Sequence, residues 1–307
     1  MTIKRLMNIF TILALLLGAC GAALRRLQFL TIVDEVTGLA QPWARVSVVL
    51  LVTCGLIVLS SFIMSLTVKR VSETEGHGLR EVFGAPKKLP RATLPVLGFL
   101  AFALVAVTAI RYYIAVRTGQ VTGLERFAPD AVMTALAVLA GLAVLTLAVR
   151  IVTFAGVRGS AAEIKLAMAA LTVFPCYHMV LTYLNYVASP NLLLYSYDMI
   201  ALGVTALAAL YAAGFTFTPE TASPKWTLMF LWIAITFNGV AAGNPAQPRF
   251  RGIFIFHALT AFVAALLMIP NLFSENSSSN NSYQISNIRD EGLDESSEPV
   301  EIEEPTT

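Results

Sequence analysis

Five polar residues stand inside otherwise apolar stretches in the second half of the chain: His178, Asn185, Asp198, Asn238 and His257. A carboxylate and two imidazoles are groups that proteins use to move protons or to hold polar solutes. An ionisable side chain within an apolar stretch is costly to keep there, so it marks a candidate site by default. Asp198 is the one acid at such a position, and His178, His257, Arg26 and Arg111 are its candidate partners. Tyr177, Tyr183, Tyr186, Tyr195 and Tyr197 cluster around the same positions. The competing reading is structural: Asp198 hydrogen-bonds locally, and the tyrosines form an aromatic belt at a membrane surface.

Other chemistry finds little support. There is no His-Glu-x-x-His, no glycine loop to cradle a phosphate and no Gly-x-Ser-x-Gly elbow. An intramembrane hydrolase needs a nucleophile beside a base, and no such pair stands out. Cys20, Cys54 and Cys176 are isolated and read as small packing residues, not as a disulfide framework or a zinc site. His77 sits alone in Glu75-Gly76-His77-Gly78, a solvated loop. No metal, no cofactor and no nucleic-acid partner are expected, and the chain leans away from being an enzyme.

The elements that position these residues follow from composition. Only 13% of residues are charged and 57% are hydrophobic, with a mean hydropathy of +0.72. A soluble domain carries roughly a quarter charged residues. Apolar runs near the roughly 20 residues that cross a bilayer recur throughout. Eight are read, at about 7–27, 43–67, 93–116, 130–152, 163–187, 193–214, 226–242 and 251–270, of which the seventh is the shortest. Backbone polar groups must pair within lipid, and uninterrupted runs such as 131–149 lack the alternation of barrel strands, so the spans are helices. At about 1.5 Å per residue, His178 lies roughly 13 Å, and Asp198 and His257 roughly 8 Å, from the outer ends of their helices. Pro175 should bend the fifth span beside His178.

Lysine and arginine placement sets the topology. With the N-terminus inside, 13 of the 21 basic residues are cytoplasmic, six of them in the 68–92 loop. Residues 1–270 carry 20 basic and 10 acidic residues, and 271–307 carry 1 and 9. The last segment, beginning in the polar run from Ser274 to Ser282 and ending acidic, lacks the apolar surface to offset ordering entropy, so a disordered cytoplasmic tail is expected. Lys4, Arg5 and Leu17-Gly18-Ala19-Cys20 have the look of a lipoprotein signal, but Cys20 is followed by more apolar sequence and two arginines instead of a polar tether. The first span is therefore expected to stay.

One duplication organises the first half. Val36-Thr37-Gly38-Leu39 returns as Val121-Thr122-Gly123-Leu124, with Arg26 and Arg111 twelve positions before each glycine, so units 7–67 and 93–152 read as one helical pair used twice. Each connector carries a glycine able to take positive φ and then a proline, Pro42 or Pro129, suited to the next helix start. Arg26 and Arg111 would either reach lipid phosphates or bind an anion across a pseudo-symmetric mouth. The segment from Leu24 to Leu39, LRRLQFLTIVDEVTGL, resembles a pattern in uncharacterised multi-span membrane proteins of Clostridia-type bacteria. That resemblance covers the first hairpin, implies a bacterial plasma membrane, and carries no known activity.

The expected fold is thus all-α: a polytopic transmembrane bundle of about eight spans in four helical hairpins, the first two an internal repeat, with both termini cytoplasmic. The domain boundary falls at 270. The expected function is transport or solute binding through the outer-leaflet cluster of Asp198, His178, His257, Asn185 and Asn238, flanked by Arg26 and Arg111. The partners would be the bilayer and a small solute or anion. The alternative is a non-catalytic subunit or sensor that contacts another membrane protein.

Overall fold

The structure, a computed structural model, describes residues 3–32, 44–69, 79–84, 90, 92–118, 131–153, 162–186, 192–245 and 250–273. All regular structure among them is helical: α1 (Ile3–Ile32), α2 (Arg45–Lys69), α3 (Leu79–Phe83), α4 (Thr93–Arg117), α5 (Ala131–Thr153), α6 (Ala162–Tyr186), α7 (Leu192–Phe217), α8 (Pro224–Ala242) and α9 (Arg251–Leu272). Every one except the single-turn α3 is long and apolar enough to cross a bilayer, giving eight candidate spans. Leucine- and alanine-rich runs satisfy their backbone groups internally as helices, which lipid demands. The duplicated Thr-Gly connectors and the acidic tail lie outside the described residues.

The core is built around α8. In its most apolar window 78% of residues are buried, against 22–28% in α1, α2, α4, α5 and α6. It contacts α1, α2, α7 and α9. A helix surrounded by protein has no lipid to face, so it can be short and comparatively polar. That is why α8 is the least apolar of the eight by sequence. Ser223 precedes it and Pro224 occupies its first turn, where a missing N–H costs nothing.

Small residues let α1 lie directly on α8, the two running parallel. Trp232 Nε1 donates to Thr11 Oγ1 at 2.8 Å, and Thr236 Oγ1 donates to the Ala14 carbonyl at 3.1 Å. Further along, Gly239 faces Gly18 and Gly243 faces Ala22, backbone against backbone. Gly239-x-x-x-Gly243 against Gly18-x-x-x-Ala22 is the small-residue spacing that membrane helices use for close approach. The buried positions of α1 are Met7, Thr11, Ala14, Gly18, Gly21, Arg25 and Gln28, a regular alternation of four and three. That heptad-like stripe is the face α1 turns towards the protein.

The other spans pack around this centre, with α4 on α5, α5 on α6, α6 on α7 and α4 also on α9. Gly98 lies against Leu145 and Ala148, and Gly141 against Phe102 and Val105, so α4 and α5 also meet through small residues. At the opposite end from Arg25, α3 docks on α7 and α9. Asn271 Nδ2 donates to the Val82 and Gly84 carbonyls, and Phe83 meets Phe215 edge-on at 5.9 Å. This part of the basic 68–92 segment is therefore bound to protein.

Candidate functional site

α1 does not end where its apolar run ends. It continues to Ile32, about 45 Å in all at 1.5 Å per residue, well beyond the ~30 Å of hydrocarbon. The two arginines, expected at the outer end of the 7–27 span, lie within the helix, which runs on past residue 27. They go to different faces. Arg25 falls on the heptad stripe and is fully buried (0% exposed), while Arg26, the next residue round the helix, is exposed.

The Arg25 guanidinium is held by neighbours of three kinds. Its Nη1 donates to Gln28 Oε1 at 2.6 Å, and Gln28 Nε2 donates in turn to Ser47 Oγ of α2 at 2.8 Å. Its Cζ stands 4.8 Å from the ring centroids of both Phe29 and Tyr197. Such cation–π contacts strengthen where water is excluded. It also lies within electrostatic reach of Asp198.

Asp198, on the second turn of α7, is fully buried (0% exposed). Its Oδ2 accepts from Asn244 Nδ2 at 2.6 Å, just past the end of α8. Its Oδ1 is buried and meets no donor among the described residues. A guanidinium fork would engage both oxygens of a carboxylate, and that arrangement is not made here. The acid and the base are therefore neighbours in one polar cluster, with α1, α2, α7 and the α8–α9 connection contributing.

The two histidines form a separate group between α6 and α9. His178 is almost wholly buried (1% exposed), with its ring 4.9 Å from Phe250, 5.8 Å from Phe254 and 6.1 Å from Phe174. His257 lies 5.3 Å from the same Phe174 ring. Phe174 and His178 share a face of α6 at i and i+4, and Phe254 and His257 share a face of α9, with Phe250 at the residue before its first turn. Both nitrogens of His178 and Nε2 of His257 have no hydrogen-bond partner among the described residues. Neither imidazole bonds to Asp198. The Asp–His pair anticipated from the sequence is not formed.

Asn238 points into the bundle, donating from Nδ2 to Thr205 Oγ1 at 2.6 Å and to the Ala234 carbonyl at 2.8 Å, with Oδ1 unpartnered. Asn185 lies in the last turn of α6, and its side chain falls outside the described residues. Arg26 and Arg111 are both exposed, so neither is among the groups gathered around Asp198. The residues missed from the sequence are Arg25, Gln28, Ser47 and Asn244. The stripe through Met7, Thr11, Ala14, Gly18 and Gly21 is the signal that points to Arg25 and Gln28.

Chemically, the Asp198 cluster, the histidine group and Asn238 between them offer one carboxylate oxygen, one amide oxygen and three imidazole nitrogens with unused capacity. No group of three or more metal-ligating side chains occurs among the described residues. Eight apolar helices of this length mark a multi-pass membrane protein. No family model matches the chain, and no curated protein or solved structure does either.

Proposed function

We propose that the chain binds a small polar solute at the polar groups gathered in one half of α6–α9, and moves it across a bacterial plasma membrane. The observation that carries this reading is the set of buried, unpartnered atoms: Asp198 Oδ1, both His178 nitrogens, His257 Nε2 and Asn238 Oδ1. Each buried polar atom left unsatisfied costs about 1–3 kcal/mol. A purely structural interior would remove such groups or pair them. A site that completes its hydrogen bonds with a solute, or with the water a solute displaces, accounts for keeping them. Solute-binding residues would be Asp198, His178, His257 and Asn238, with Asn185 near the same end of α6.

The arginine and lysine bias supports an orientation with both termini cytoplasmic, so this half would open outward. The duplicated units 7–67 and 93–152, as helical pairs, would then serve as scaffold around α8. Exposed Arg26 and Arg111 would lie along the headgroups.

The test is uptake into proteoliposomes, together with the melting temperature of the purified protein in detergent, over a panel of small solutes. Wild type should be stabilised by at least one solute that it also accumulates. Asp198→Asn, still folded and inserted, should lose both effects. A substitution that leaves uptake unchanged would remove Asp198 from the site. If no solute acts and the protein co-purifies in fixed proportion with another membrane protein, the subunit or sensor reading takes its place.

A further inference from the structure

We propose that His178 and His257 form a two-coordinate site for a soft monovalent metal ion of the copper(I) or silver(I) type, bound by one imidazole nitrogen from α6 and one from α9. The inference goes beyond solute binding at Asp198 and uses none of that cluster, so the two readings fail separately.

Several observations lead there. The imidazoles come from different helices and meet the same ring, Phe174, at 6.1 Å from His178 and 5.3 Å from His257 between centroids. They lie within electrostatic reach of each other. Both side chains are buried, and neither nitrogen of His178 nor Nε2 of His257 has a hydrogen-bond partner. A neutral imidazole keeps a lone pair on one of its two nitrogens. His178 therefore holds an unused donor pair for a metal whichever tautomer it adopts. Buried polar side chains that only support a fold are ordinarily hydrogen-bonded.

Ligand count and surroundings decide which metal. No third histidine, cysteine or carboxylate joins the pair among the described residues. Zinc takes four ligands, and calcium and magnesium take oxygen. A doubly charged ion on two neutral ligands would keep most of its charge uncompensated away from water, which is costly. A monovalent ion with a filled d shell is satisfied by two ligands in line, carries half that charge, and in the case of copper suits imidazole. Phe250 and Phe254 add their rings to that of Phe174 around His178, and aromatic faces attract a cation.

Silver(I) is the probe, because it needs no reductant. The full-length protein in detergent and chloride-free buffer is titrated with silver nitrate, and the silver retained after gel filtration is counted by mass spectrometry. Wild type should hold one silver ion per chain more than His178→Phe. Taking the difference removes whatever Cys20, Cys54 and Cys176 hold. His257→Met keeps a soft donor and should retain the ion, whereas His257→Leu, of similar volume, should lose it. That contrast decides the matter where His178→Phe fails to fold, and a merely structural histidine would not produce it. Asp198→Asn should bind silver as wild type does, and zinc(II) should bind at least tenfold more weakly than silver. Equal silver counts in wild type and folded His178→Phe overturn the proposal, as do equal counts in His257→Met and His257→Leu, or zinc binding as tight as silver. If the histidines hold no silver but a solute that stabilises wild type is lost in Asp198→Asn, solute binding stands and the metal site does not.

Discussion

Replacing Gly239 with alanine tests the central contact of the bundle. A methyl carbon placed there would lie 2.6 Å from both Cα and the carbonyl carbon of Gly18, and 2.8 Å from its oxygen. Non-bonded carbons rest at about 3.5–4.0 Å, so the two helices must separate locally by roughly 1 Å. The obstacle is backbone, which cannot rotate away as a side-chain tip can. Overpacking of this kind costs typically about 1–3 kcal/mol. The separation also strains the Trp232–Thr11 and Thr236–Ala14 hydrogen bonds on the same interface. At roughly 2–4 °C per kcal/mol, the melting temperature should fall by about 2–12 °C. Gly55 is the control, because a methyl there meets nothing within 4 Å. Gly55→Ala should leave stability level or raise it, since alanine is the better helix former. The assay is thermal unfolding of the purified proteins in one detergent, followed by intrinsic tryptophan fluorescence, which Trp232 at the interface should report directly. Equal melting of Gly239→Ala and Gly55→Ala would refute the backbone contact between α1 and α8. A drop confined to Gly55→Ala would refute it as firmly.

The two adjacent arginines should behave oppositely. Arg25→Ala removes a buried cation that Gln28 and two aromatic rings hold beside Asp198 and should cost about 1.5–3 kcal/mol, whereas Arg26→Ala, on the exposed face, should stay within about 0.5 kcal/mol. Equal losses in thermal unfolding would count against the burial of Arg25. His178→Phe removes two unpartnered nitrogens from a nest of phenylalanine rings, so it should be neutral or stabilising while abolishing any solute effect that depends on the imidazole. A melting temperature clearly below wild type would mean that those nitrogens are bonded.

The spans were legible because the bilayer imposes one length and one composition on each of them. The seventh was the shortest for a physical reason: α8 is enclosed by protein and carries Thr227, Thr236 and Asn238 on buried faces. Only the residues of α1 past 27 read as connector, because the paired arginines before them look like a headgroup anchor at the end of a span. The duplication drew attention to Arg26, since it aligns with Arg111. A repeat matches residue identities, whereas burial depends on which face a residue occupies. The spacing Met7, Thr11, Ala14, Gly18, Gly21 extends unbroken to Arg25 and Gln28, so that the face was written in the sequence although the repeat did not report it. Asn244 carried no such signal. It follows the end of α8, 46 positions from Asp198, and only the packing of α7 against α8 joins them.

The same packing explains how the zipper and the polar cluster depend on each other. Glycine contacts allow close approach but offer little to stop one helix sliding along the other, so register has to come from elsewhere. Trp232–Thr11 and Thr236–Ala14 supply it on one side of Gly18, and Gly243 against Ala22 closes the row on the other. One turn beyond Ala22 stands Arg25, near the C-terminal end of α8, where a helix carries partial negative charge that favours a cation. Arg251 reinforces that end by donating from Nε to the Ala242 carbonyl at 3.1 Å. Asn244 follows directly and holds Asp198. A shift of α1 by one heptad position would carry Arg25 away from both Asp198 and the α8 terminus, leaving buried charge uncompensated. The polar cluster therefore opposes a slide of α1 out of the register that the small residues permit, which is the register that sets Arg25 within electrostatic reach of Asp198.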